Sequence, residues 1–341
     1  MNMRRRAIAF ALLSAALFGA STPLAKLLLG STSPLLLAGL LYLGAGLGLL
    51  AWLRGRLKPI SRGDVPWLGA AVVAGGIAGP ALLMLGLART DGATASLLLN
   101  LEAVFTAVIA WIAFRENVDR RVFAGMAAIV AGGALLSFEG KPHLDFSVML
   151  IAAACLAWAL DNNLTRRVSG ADAATLACIK GLVAGSANLV FALAQGASLP
   201  SLGAIAAAGV VGLFGYGVSL ALFIVALRDL GTARTAAYFS VAPFFGAALA
   251  IFLWPEIPDW SFWAAALLMA LGVWLHISER HGHAHVHDPM THEHEHVHDE
   301  HHRHEHAFAW DGAEPHVHPH QHGALSHSHS HHPDLHHRHR H

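Results

Sequence analysis

Residues 7–278 are dominated by ten apolar runs, read as 7–29, 34–53, 65–87, 94–114, 122–138, 146–165, 173–194, 203–227, 235–254 and 260–278. Each is near the roughly 17–25 residues that a helix needs to cross hydrocarbon. Inside lipid the backbone has no water to bond, so runs of this kind are helices rather than isolated strands. The chain is 55% hydrophobic and 13% charged, with a mean hydropathy of +0.50, which is a membrane composition. The expected fold class is therefore all-α and membrane-embedded.

The apolar part is written twice. Residues 16–26 align with residues 156–166 at a shift of 140, so that Phe18 meets Trp158, Leu24 meets Leu164 and Lys26 meets Arg166. The same shift pairs Phe105 with Phe245, Glu116 with Glu256 and Gly132 with Gly272, while Arg89 matches Arg228 at 139. A long-period duplication in an apolar chain marks a protein built from two structural repeats. The expected units are a first five-helix repeat over 1–140, a second over 141–279 and a tail over 280–341.

Basic residues set the orientation. Arg4 to Arg6, then Arg54, Arg56, Lys58 and Arg62, then Arg115, Arg120 and Arg121, then Arg166 and Arg167, then Arg228 and Arg234, then Arg280 mark alternate ends of the runs. The opposite ends carry Lys26, Arg89 and Lys141. The basic side is expected to be cytoplasmic, with both termini inside. An odd number of helices per repeat then inverts the second repeat relative to the first. Arg4-Arg5-Arg6 before an apolar run has the form of a signal peptide, but the run is long for one and has a repeat partner. Cys155 and Cys178 lie inside runs, so they are read as packing residues rather than a disulfide.

The stretch from Ala88 to Glu116 resembles the third-to-fourth-helix signature of EamA-like proteins of the drug/metabolite transporter superfamily, as does Gly125 to Leu136. Phe18-Gly-Ala-Ser-Thr-Pro-Leu-Ala-Lys26 is similar to the family's first-helix motif. The resemblance covers residues 7 to about 278. It implies ten helices in two inverted five-helix repeats, a central cavity lined by helices 1, 3, 4, 6, 8 and 9, and export or exchange of small metabolites. It implies no particular ligand. The first repeat departs from the family pattern at Glu102-Ala103, where the second keeps Pro243.

Polar residues within the runs are the candidate site. Glu102 lies about 12 Å from the outer end of its run, near the midplane. A charge there costs at least ~2.5–3.5 kcal/mol, so it must face the bundle interior or carry a proton. It is read as a proton- or cation-coupling carboxylate, against the alternative of a neutral Glu bonded to a neighbouring helix. Asp161 and Lys180 stand at similar depths and can pair, or Lys180 can snorkel while Asp161 caps a helix end. Asn162 and Asn163 share Asp161's position, equivalent to Ser21-Thr22-Pro23 in the first repeat. Asn100 and Asn188 add amides, which serve a ligand or only hold helices together. Lys26 either snorkels or meets an anionic substrate. Arg115, Glu116 and Glu256 read as interface anchors. No Walker loop, nucleotide fingerprint or nucleophile pattern is present, so neither an ATP-driven pump nor an enzyme is expected, and no cofactor is required.

The tail is different in kind. Of 26 histidines, 24 follow residue 280, with nine acids against Arg303, Arg338 and Arg340, so its balance is −6 without histidine. His292, His294, His296 and His298, then His301, His302, His304 and His306, then His327, His329 and His331 are candidate ligands for Zn, Ni, Co or Cu. Low apolar content predicts disorder with several interchanging sites. His292-Glu-His-Glu-His296 matches the pattern H-E-x-x-H, but a zinc protease needs a helix and a third ligand, so the match is read as accidental. Expected partners are the inner-membrane bilayer, a small-molecule substrate and metal ions, with no nucleic acid. Two alternatives stand beside the metabolite transporter: a divalent transition-metal (Ni/Co/Zn) permease, and a membrane-anchored metal buffer or sensor.

Overall fold

The computed structural model describes residues 3–114, 120–138, 145–230, 235, 238–254 and 258–278, together with the backbone of 282–287, 290–296, 316–322 and 325–330. The chain divides into two compact units, Met1–Glu279 and Arg280–His341.

Among its described residues the first unit is helical throughout. Helices α1 (Met3–Leu29) and α2 (Pro34–Trp52) are followed by α3, which runs as Val65–Ala71, a wider π-helical stretch Val72–Ala78, and Gly79–Leu87. Helix α4 comes in two pieces, Gly92–Leu98 and Leu101–Phe114, and α5 is Arg120–Phe138. The second half has α6 (Phe146–Val168) and α7 (Ala173–Ala194). In α8, Leu202–Gly212, a π-helical Leu213–Val218 and Ser219–Leu230 run in succession, before α9 (Ala242–Leu253) and α10 (Trp260–Ile277). Helix starts follow their capping side chains: Asp91 accepts from Thr94 N, Asp145 from Ser147 N and Asp172 from Thr175 N.

Among the described residues eight stretches are long and apolar enough to cross a membrane, while Ala242–Leu253 and Trp260–Leu275 are apolar but shorter. The tenfold count of full-length spans is therefore not reached by length alone. The difference at α9 has a local cause. The run expected over 235–254 turns at Ser240-Val241, and its helix restarts with Pro243 in the first turn, where a missing N–H costs nothing. The run expected over 94–114 is likewise interrupted, at Leu99-Asn100, where Asn100 N bonds Leu97 O and Ala103 N bonds Asn100 O across tighter three-residue turns. Asn100 and Ser240 are 140 positions apart, so the two repeats break their fourth helices at the same register.

Packing is reciprocal between the halves. Helix α1 lies against α8 and α9, and α6 lies against α3 and α4; α2 meets α7, and α5 meets α10. The α5–α10 seam shows the relation at atomic detail. A Cβ at Gly132 would lie 3.0 Å from Ala265 O and 2.8 Å from Met269 Cγ, whereas one at Gly272 would lie 2.6 Å from both Gly125 O and Ile129 Cγ1. Gly125 and Ala265, like Ile129 and Met269, are repeat equivalents, so the seam has an approximate two-fold axis. Lipid offers no hydrophobic drive between helices, and close approach at small residues supplies the contact instead. The outer face is apolar, with Leu202 84%, Phe252 82% and Trp260 77% exposed. A soluble monomer rarely shows such a surface.

The described tail residues pair as two antiparallel ladders. Here β1 (Gly282–His287) joins β4 (Leu325–Ser330), and β2 (Met290–His296) joins β3 (His316–His322). Apolar content measures what a segment can bury, whereas a ladder needs only extended backbones in register, which alternation of period two suits. His292, His294 and His296 stand opposite His320, His318 and His316, and His327 and His329 stand opposite His285 and His283. His298, His301, His302, His304, His306 and His331 lie outside the described residues.

Candidate functional site

The break in α4 puts Glu102 in the first turn of Leu101–Phe114. It is not deep within one continuous helix, as a rise-per-residue estimate assumed. A helix N-terminus favours negative charge, so the break is itself a reason for a carboxylate to be there. Asn162 Nδ2, from α6 of the other repeat, donates to Glu102 Oε1 at 2.7 Å. Among the described residues no basic side chain pairs with Glu102.

One helical turn of α6 carries both Asp161 and Asn162, and they do different work. Lys180 Nζ of α7 donates to Asp161 Oδ1 at 2.6 Å and Oδ2 at 2.7 Å, and Thr165 Oγ1 adds a bond to Oδ1 at 2.8 Å. Lys180 is 2% exposed. The two charges therefore cancel within the bundle, and removing either partner would leave the other buried and unpaired. Asn163 points away, donating to Ala159 O at 2.8 Å.

The π-helical stretches position the walls. Gly75 packs directly on the Asp161 carboxylate, and a Cβ there would overlap it; Gly215, its repeat equivalent, packs on Ser21, the equivalent of Asp161. Carbonyls freed by the wide turns are taken by side chains. Gly75 O accepts from Tyr42 Oη and Trp158 Nε1, both at 2.9 Å, and Asn188 Nδ2 reaches Gly76 O and Ile77 O at 3.4 and 3.3 Å. π-Helical turns of this kind recur at functional sites.

Between these helices lies a cavity of about 470 Å³, its open mouth included. Its polar wall is Glu102, Asp161, Asn162 and Ser219, and most of the remaining wall is aromatic: Phe18, Tyr42, Trp158, Tyr216, Phe223 and Phe239. The rings form one connected cluster. Phe18 sits 5.6 Å from Trp158, 5.8 Å from Tyr216 and 5.4 Å from Phe239, Tyr42 lies 5.1 Å from Tyr216, and Phe223 lies 4.9 Å from Phe239. Ser21 Oγ donates to Phe18 O at 2.6 Å and stands beside the buried hydroxyl of Tyr216.

The structure thus brings Glu102, Asp161 and Asn162 to one cavity, with Lys180 directly behind Asp161. It does not bring Lys26, Asn100 or Asn163 there. Lys26 Nζ closes the end of α3 by donating to Leu87 O at 2.7 Å, and Asn100 Nδ2 donates to Leu97 O at 2.9 Å. Helices 1, 3, 4, 6, 8 and 9 were expected to line the cavity; Tyr42 brings in α2 instead, while among the described residues α3 and α9 contribute no lining residue, Gly75 O of α3 accepting from Tyr42 and Trp158 behind the wall. The aromatic wall beyond Phe18 and Trp158 was not anticipated. A signal was available, since two of only three tyrosines in the chain line the cavity. Arg115, Glu116 and Glu256 lie outside the described residues. Both cysteines are free and buried. Among the described residues no group of three or more His, Cys, Asp or Glu side chains is placed to hold a metal.

A bundle with an apolar outer face, two like halves and a polar aromatic cavity between them defines a multi-pass membrane transporter of small molecules. The chain belongs to the EamA-like transporter family, whose sequence model matches twice, over residues 5–138 and 145–278. An uncharacterized transporter of Methanothermobacter thermautotrophicus strain Delta H is 28% identical, over 70% of this chain and 76% of the relative. A solved crystal structure has a TM-score of 0.61 at 17% identity, covering 79% of this chain and 95% of its own, which is a likeness of fold.

Proposed function

We propose that the protein is a secondary transporter that exports or exchanges a small metabolite across the inner membrane, with Glu102 as the coupling carboxylate. On this reading α1–α10 all span the bilayer as two inverted five-helix repeats, and both termini are cytoplasmic. The observation that carries it is the placement of Glu102: half-buried at a helix break, bonded only to a neutral amide among the described side chains, in a cavity walled by both repeats. A carboxylate so placed can take up a proton or a cation from either side as the repeats rock. The ion pair with Lys180 favours Glu102 over Asp161 in that role and leaves a metal permease with fewer free cavity ligands. The tail, with histidines at alternate positions, binds divalent Zn, Ni, Co or Cu and adjusts transport according to cytoplasmic metal.

The test is efflux from proteoliposomes under an imposed pH gradient, with a metabolite panel and with Zn, Ni and Co as cargo. Wild type, Glu102→Gln and a truncation after Glu279 are compared. Gradient-driven metabolite flux that is lost in Glu102→Gln, with the truncated form active but indifferent to added metal, supports the reading. Metal flux in the truncated form would replace it with the permease.

A further inference from the structure

We propose that the cavity selects organic ammonium ions, a protonated amine carried on an apolar or aromatic body. The inference rests on the cavity being the transport site and adds the chemical class of its cargo. Its first support is charge. The cavity wall holds two carboxylates, and Lys180 neutralises Asp161 through both oxygens, which leaves Glu102 without a cation among the described residues. An anion entering there would face Glu102, and among the described residues Lys26 is not free to meet it, being held by the end of α3. A cation would gain the ion pair that Glu102 lacks.

The second support is the aromatic wall. Six rings surround one polar corner, and an ammonium group against ring faces is attracted by their quadrupoles, most strongly where water is excluded. The third is the Tyr216 hydroxyl, which is 5% exposed and lines the cavity beside Ser21, whose own hydroxyl proton goes to Phe18 O. Its oxygen can accept from an ammonium N–H while Glu102 accepts another. The remaining rings suit an apolar substituent rather than a sugar or a phosphate, for which the wall has few donors.

Purified full-length protein in detergent is titrated calorimetrically with phenethylamine, phenethyl alcohol and phenylacetate, which share a ring and differ in charge. The amine is expected to bind roughly tenfold tighter than the alcohol, about 1.4 kcal/mol, with the acid weakest. Glu102→Gln should erase that preference, and Phe18→Leu should reduce it. Equal binding of amine and alcohol by the wild type, or tighter binding of the acid, overturns the inference without recourse to any variant. Amine binding without flux in vesicles would overturn the transport reading, and with it the claim that ammonium ions are cargo, leaving only the cavity's binding preference. Flux of a neutral or anionic solute with no amine preference would do the reverse.

Discussion

The two repeats build one cavity from unlike materials. Where the second repeat sets Asp161 against Gly75, the first sets Ser21 against Gly215; where the second offers Trp158, the first offers Phe18. At Ser14 and Ser219 the first repeat's α1 is clasped to α8 by reciprocal bonds of 2.7 and 3.0 Å, while the equivalent positions hold Ala154 and Gly79, with Trp158 packed over the glycine. At the fourth-helix break, Glu102 answers Ala242. The backbone relation is close to two-fold, but the charge is not. The second repeat's carboxylate is neutralised within the bundle, and the first repeat's meets only the Asn162 amide among the described side chains. A duplicated scaffold can thus keep a symmetric mechanism while its ligand chemistry becomes one-sided.

The largest test of that asymmetry is Glu102→Gln. Gradient-driven flux should fall roughly a hundredfold or to background, the scale on which removing a proton-transfer group acts. Introducing Ala242→Glu into that variant should not restore it, because the second repeat's break lacks the Asn162 partner. Restoration in a flux assay would show the halves to be interchangeable.

The Asp161–Lys180 pair should respond differently. Lys180→Met alone leaves a buried carboxylate, with an expected loss of about 3–5 kcal/mol of stability. Adding Asp161→Asn to it should recover most of the loss in thermal unfolding in detergent. A double variant as unstable as the single one would mean that the pair does more than cancel charge.

Gly75→Ala and Gly215→Ala compare the mirrored contacts directly. Each overpacks a helix crossing, at about 1–3 kcal/mol. The first should be worse, since it also displaces a carboxylate held by Lys180 and Thr165, and the order is read from relative melting temperatures. An equal loss would make the charge at Asp161 irrelevant to the crossing.

The smallest effect is expected outside the membrane. Partial burial raises the Asp172 carboxyl, but its bonds to Lys58 and Thr175 outweigh that and hold it below its ordinary value of 3.8. Its folded value is depressed, so its contribution is complete above the unfolded value and fades as pH falls through the folded one. Lys58 is largely exposed, so Lys58→Ala should cost less than about 1 kcal/mol at neutral pH. The difference from wild type should shrink on acidification below pH ~4, which a pair of melting curves would register.

Much of this was legible beforehand. Apolar runs of bilayer length located most of the helices to within a few residues, the start of α9 excepted, and the shift of 140 located their partners. The polarity of Glu102, Asp161 and Asn162 inside such runs marked residues that the fold brings to one cavity, because charge in hydrocarbon is costly. The expectation for Lys26 was less useful. A basic residue at a helix end has the same sequence appearance whether it caps a neighbouring helix or meets a ligand, and only the Leu87 carbonyl 2.7 Å away distinguishes them. The helix breaks at Asn100 and Ser240 were missed because the apolar pattern runs on through them, and hydropathy does not register a lost backbone bond.

By itself the sequence determined the number of halves, the membrane as solvent and the positions where polarity is anomalous. These follow from composition and period, which are properties of the chain read in one dimension. Only the tertiary structure decided which carboxylate is spent on Lys180 and which is left open, and it alone gathered Tyr42, Tyr216, Phe223 and Phe239 around the second. Pairing depends on distances of a few ångströms between residues that are far apart in the chain, and no local pattern encodes them.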